Sequence, residues 1–88
     1  MKKLTEERKA IVEAAIVSGN ESYQAYKAKG LNTFTEEGRN LIKGYWDAQT
    51  LILDTLSVSM TRTNDLIEGN ITLNDLYNPD GTVRKVTK

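Results

Sequence analysis

Between residues 35 and 60 the apolar side chains Leu41, Ile42, Tyr45, Trp46, Ile52, Leu53, Leu56 and Met60 recur at steps of three and four. This periodicity specifies one wide helical stripe and excludes a strand. Thr35 is placed to cap that helix, and Glu36 and Glu37 stand in its first turn, where the helix dipole favours acids. Unbroken over residues 35–60, such a helix would be ~39 Å long, whereas a compact chain of 88 residues has a radius of gyration near ~12 Å. Two outcomes satisfy both facts. Either the helix breaks, near Gly44 or within Thr55-Leu56-Ser57-Val58-Ser59, or it projects and pairs with other subunits. We expect the projection, with Ile52, Leu53, Leu56 and Met60 as the oligomer interface and a homo-oligomer as the result.

The remaining pattern is also helical. Thr5 caps a helix over residues 5–18, with Glu6 and Glu7 in its first turn and Ile11, Val12, Ala15 and Ile16 on one side. Gly19 ends it, and Asn20 caps a second helix over 20–29 with Tyr23, Tyr26 and Ala25 inward. Gly30 stops that one, and Leu31-Asn32-Thr33-Phe34 connects to Thr35. Residues 63–69 form a short helix or turn, and residues 73–77 another turn. Asn78-Pro79-Asp80-Gly81 is a strong turn signal, and Val83 to Lys88 is an edge strand or a frayed tail. The expected fold is therefore all-α. It has a helix-turn-helix-like part at 1–44, a packing or oligomerisation segment at 45–69 and a turn-rich tail at 70–88, within one domain. Trp46 is the expected anchor of the first two helices on the third.

Composition removes most chemistry. The chain has no Cys and no His, so it can build neither a disulfide framework nor the usual zinc sites, and imidazole base catalysis is out. No glycine-rich phosphate loop is present, and Asp75 and Asp80 lack the alternating acids and closing Glu of a calcium loop. We expect no enzyme activity, no cofactor and no metal. The N-terminus lacks an apolar leader, and no run approaches the ~18 residues of a membrane span; a cytoplasmic protein without membrane contact is the expectation. Mean hydropathy is −0.49, low for a chain that folds alone, which suits a helical domain stabilised in part by assembly or binding.

Binding is the better supported class. Three helices joined by a Gly-Asn turn and a short loop have the layout of a helix-turn-helix module, whose last helix meets base edges with its N-terminal residues. On that layout Asn32, Thr33, Thr35, Arg39, Asn40 and Lys43 face double-stranded DNA. Arg39 is suited to guanine and Asn40 to adenine, while Lys27 and Lys29 are suited to phosphates. The formal net charge is zero, with residues 1–44 at +2 and residues 45–88 at −2, a weak polarity in the same direction.

Particular residues carry a family resemblance. Leu4-Thr5, a helix, Gly19-Asn20 and then Ala25-Tyr26-Lys27-Ala28-Lys29-Gly30-Leu31 resemble the N-terminal helix-turn-helix of tailed-phage terminase small subunits. Gly38-Arg39-Asn40-Leu41-Ile42 and the segment from Asp75 to Lys85 are similar to later motifs of that family. These patches cover roughly half the chain in order. The resemblance implies a protein that recognises the packaging start on viral DNA, assembles as a ring and presents DNA to the large terminase subunit. Thr33 to Lys43 would be its recognition element, and the long helix through Leu56 and Met60 its assembly surface. The alternative expectation is a small helical adaptor or inhibitor that binds a host protein instead of DNA.

Overall fold

The computed structural model describes residues 1–30 and 32–84. Four helices follow one another: α1 (Glu6–Ala28), α2 (Glu36–Leu56), α3 (Met60–Glu68) and α4 (Leu73–Leu76). The fold is all-helical, as the periodicities require, and among the described residues the sole strand-like pairing is an isolated antiparallel bridge between Tyr77 and Val83. Thr5 and Thr35 cap their helices as expected, each hydroxyl accepting from the backbone N–H three residues on.

The first departure from expectation is at Gly19. Residues 5–18 and 20–29 are not two helices with a turn between them but the single 23-residue α1, so the turn of the expected helix-turn-helix is absent. A glycine inside a helix costs about 1 kcal/mol relative to alanine, and here packing offsets it. Gly19 is buried where α1, α2 and α3 meet, and a Cβ on it would lie 2.6 Å from the Ala48 Cβ and 3.1 Å from the Ile67 Cγ2. Asn20 does not cap a helix; its amide donates to the Ile67 carbonyl at 2.9 Å.

The second departure is at Ser57. The long helix ends at Leu56 and does not run on to residue 60, so the break falls within Thr55–Ser59 and the expected projection does not occur. Ser57 adopts the left-handed conformation, with φ 57° and ψ 40°, and Ser59 caps α3 by accepting from the Arg62 N–H. A left-handed serine costs roughly 1–2 kcal/mol. Turning the chain there buries Leu56, Val58, Leu66 and Ile67, each worth about 1.5–3 kcal/mol. The reversal wins. As a consequence Ile52 and Leu56, expected at an oligomer surface, are fully buried in the core of their own protomer. Leu53 is half-buried, and of the expected interface residues only Met60 is exposed.

α1 and α2 form an antiparallel hairpin, and α3 packs on both. Core positions Val12, Ala15, Ile42, Tyr45, Ala48, Ile52, Leu66 and Ile67 lie along this junction. Trp46 is not the anchor, being 42% exposed, because a step of one residue rotates a helix position by about 100°. Tyr45 takes that place. Its ring lies 5.4 Å from that of Tyr23, and its hydroxyl donates to Glu68 Oε2 at 2.7 Å. Beyond α3 the chain returns to the N-terminus. The Leu4 N–H donates to the Gly81 carbonyl at 2.8 Å, and the buried Tyr77 donates its hydroxyl to the Lys2 carbonyl at 2.6 Å. The Asn78–Gly81 turn forms, with the Gly81 N–H on the Asn78 carbonyl at 2.9 Å. Val83 and Arg84 pair back onto Tyr77 and Leu76, whereas the expectation for residues 85–88 lies outside the described residues.

The Cα principal extents are 42 × 29 × 16 Å and the radius of gyration is 13.9 Å, above the ~12 Å of a compact chain this size. Contacts from α3 reach Gly19, Asn20, Tyr45 and Gln49. The hairpin beyond that level, residues 22–30 and 32–43, extends as a two-helix arm.

Candidate nucleic-acid interface at the hairpin tip

All eight residues read from the sequence as DNA contacts lie in this arm, and all eight are exposed. Lys27 and Lys29 end α1, Asn32 and Thr33 lie in the connection, and Thr35, Arg39, Asn40 and Lys43 occupy the cap and first two turns of α2. At about 100° per residue, Arg39, Lys43 and Asn40 fall within a ~100° sector of the helix surface.

Several of these side chains also build the tip. The Thr35 hydroxyl accepts from the Gly38 N–H at 3.0 Å and donates to the Asn32 carbonyl at 3.2 Å. Asn32 Oδ1 accepts from the Phe34 N–H at 2.9 Å, closing a tight turn. Arg39 donates one guanidinium N–H to the Thr33 carbonyl at 3.1 Å, which spans the connection and leaves its other donors outward. Thr35 and Asn32 are thereby committed to the framework, and Arg39, Asn40, Lys43, Lys27 and Lys29 remain as the outward polar set. Asn40 and Lys43 make no side-chain hydrogen bond or ion pair among the described residues.

The electrostatics are mixed. Lys29 Nζ lies 3.6 Å from Glu37 Oε1, with both side chains more than half exposed; such a surface pair contributes little. Lys27 Nζ sits 5.0 Å from the centroid of the Tyr23 ring, a cation–π contact. Glu36 and Glu37 fill the first turn of α2, so the helix dipole there is already met by carboxylates and the N-terminus is not itself a phosphate site. Positive charge at the tip thus comes from side chains alone.

Phe34 was not singled out by sequence reasoning, and it is the most exposed large apolar residue, at 91%. A signal for it existed. An apolar residue just before an N-cap normally packs on the residue four positions into the helix, as a hydrophobic staple. For Phe34 that residue is Arg39, so the staple has no apolar partner.

The acids weighed for a calcium loop serve turns. The Asp75 carboxylate accepts from the Thr72 N–H at 2.7 Å. That of Asp80 is held below the usual carboxylate range by hydrogen bonds from the Thr82 hydroxyl and N–H. Comparison with known protein families, curated proteins and solved structures finds no match to this chain.

Proposed function

We propose that this chain is a non-enzymatic binding module that engages double-stranded DNA through the tip of its helical hairpin. The observation that supports it is the gathering of Lys27, Lys29, Arg39 and Lys43, with Asn40, as exposed side chains at one end of an elongated molecule. Arg39 and Asn40 are suited to base edges, and the lysines to phosphates. The finer reading follows the family resemblance: recognition of viral DNA for packaging, in company with a large terminase subunit. Fluorescence anisotropy with labelled duplex tests it. Four cations set an upper bound of ~3.6 on the fall of log affinity per log salt. Arg39→Ala should weaken binding without unfolding the chain. No duplex binding at low salt, including to phage DNA ends, removes the proposal.

A second reading has its own observation. Phe34, unsupported by any staple and 91% exposed, suits a protein-binding adaptor whose tip inserts an aromatic anchor into a partner pocket. Phe34→Ser separates the two, since it should abolish adaptor binding and leave the salt dependence of duplex binding intact.

A further inference from the structure

The hairpin has a second face, and nothing in the proposed tip function uses it. α3 contacts Asn20 on α1 and Gln49 on α2. Ser18 and Leu51 stand about 160° around their helices from those positions. On that opposite side a shallow groove runs between α1 and α2, lined by Ile11, Ala14, Ser18, Gly44, Asp47 and Leu51. Its floor is made of small residues because the helices approach closely. A Cβ on Gly44 would collide with the Ser22 hydroxyl, as one on Gly19 would with Ala48. Its rims are apolar, with Ile11 43% and Leu51 44% exposed.

Along the groove's own two stripes the charges have one sign, and the nearest cation on α2, Lys43, stands one turn before Asp47 at the tip end. On α1 the exposed stripe reads Glu7, Ile11, Ala14, Ser18, Glu21; on α2 the half-buried Gly44 is followed by the exposed Asp47, Leu51 and Asp54. Both stripes advance in steps of three and four, and neither contains Lys or Arg. The one ion pair among the described residues, Lys29–Glu37, involves none of these carboxylates. At the far end of the α2 stripe Lys2 Nζ reaches the Asp54 carbonyl at 3.3 Å, while Glu7, Glu21 and Asp47 make no side-chain hydrogen bond among the described residues.

We infer that this groove is the docking site for an amphipathic helix of a protein partner that carries Lys or Arg on both flanks of a small-to-medium apolar stripe. An apolar trough between two helices is the seat of helix-in-groove recognition. Its small-residue floor lets a third backbone come close, and the carboxylates on both rims match flanking cations. The same charge pattern argues against the other occupants. A second copy seated by a two-fold axis would set Asp47 and its neighbours against themselves, and like charges across an interface are repulsive. Nucleic acid and anionic lipid meet the same repulsion. From Glu7 to Glu21 the groove spans ~21 Å, so a helix of about 15 residues fills it.

The test uses two labelled helical peptides of that length with the same Leu/Ala stripe, one flanked by Lys and the other by Glu, titrated with the full chain. The Lys-flanked peptide should bind and its Glu-flanked twin should bind at least ~10-fold more weakly. Asp47→Lys and Leu51→Ser, both at exposed positions, should each cost the Lys-flanked peptide about 10-fold, corresponding to about 1.4 kcal/mol. Neither should alter the melting temperature, and Leu51→Ser should leave the affinity of the tip for duplex DNA unchanged. Equal affinity for the two peptides, no binding of either, or indifference to Asp47→Lys overturns the inference. So does a wild-type dimer in sedimentation equilibrium that Leu51→Ser dissociates, because a second copy would then own the groove.

Discussion

Adding one methyl at Gly19 separates two opposed effects whose sizes can be set from the geometry. In an exposed helix interior Gly→Ala stabilises by about 1 kcal/mol. At Gly19 the new Cβ would stand 2.6 Å from the Cβ of Ala48 and 3.1 Å from the Cγ2 of Ile67, against a normal carbon–carbon contact of about 3.5–4.0 Å. Relief requires α2 or α3 to move outward by most of an ångström, and overpacking of this kind costs about 1–3 kcal/mol. The balance is a net destabilisation of up to about 2 kcal/mol. For a domain of this size each 1 kcal/mol lowers the melting temperature by about 4–8 °C. Ala10→Gly, at an exposed position of the same helix, measures the propensity term alone and should cost about 1 kcal/mol. Ala48→Gly removes the methyl on the other side, so the cycle of Gly19→Ala, Ala48→Gly and the double variant should show favourable coupling of about 1–2 kcal/mol. Urea denaturation at fixed pH reads all four. If Gly19→Ala gains the full propensity term, or the coupling vanishes, α1 and α2 do not meet at this distance and the account of the continuous helix fails.

Other consequences are checked with the same measurements. Ser57→Gly should raise stability by about 1 kcal/mol, because glycine adopts the left-handed conformation of this C-cap without the Cβ penalty; an unchanged urea midpoint contradicts it. Leu56→Asp should abolish the cooperative thermal transition in circular dichroism, since the carboxylate would enter a fully buried site; a folded variant of reduced mass in light scattering would instead restore Leu56 to an oligomer surface. The phenols of Tyr45 and Tyr77 are both pushed up, chiefly by burial, so the unfolded chain loses these protons first, near pH ~10. Stability is then fully present below that pH and falls above it by up to about 1.4 kcal/mol per pH unit for each phenol. Replacing Tyr45 by Phe should flatten that alkaline fall, and an unaltered slope assigns it to other groups.

What the sequence made legible follows from which forces are local. The caps at Thr5 and Thr35, the acids beside them and the turn at Asn78–Gly81 depend on neighbours within four residues, and all form where the pattern places them. Gly19 and Ser57 were decided by one kind of force. At Gly19 local chemistry favours a stop, and a three-helix junction overrides it; at Ser57 the sequence left a break and a projection both open, and the burial of Val58, Leu66 and Ile67 selects the break. In both places the deciding contacts come from residues distant in sequence, which periodicity does not encode. Trp46 went astray differently. A wide stripe with two adjacent aromatics leaves its centre uncertain by one position, and the hydroxyl of Tyr45 finds Glu68 inside the fold while Trp46 is left at the edge.

The tip was legible as a set of residues but not as a structure. Periodicity placed Arg39, Asn40 and Lys43 on the outer side of α2 because the apolar stripe claims the inner side, whether the preceding residues form two helices or one. The opposite groove was written in the sequence just as plainly, in the three-and-four spacing of Ile11, Ala14 and Ser18 and of Gly44, Asp47 and Leu51. It escaped notice because small residues score little as core, and because a core stripe and a docking stripe have the same period. Their difference is in the flanks. The buried stripe of α2 is bordered at the tip by Arg39 and Lys43, and the groove beyond Lys43 by Asp47 and Asp54. Low hydropathy then reflects a chain that has given its large apolar residues to one side of a hairpin and left the other side small, shallow and acidic. That division makes the two faces separable by experiment, since Leu51→Ser and a charge reversal at Lys43 should act on different partners.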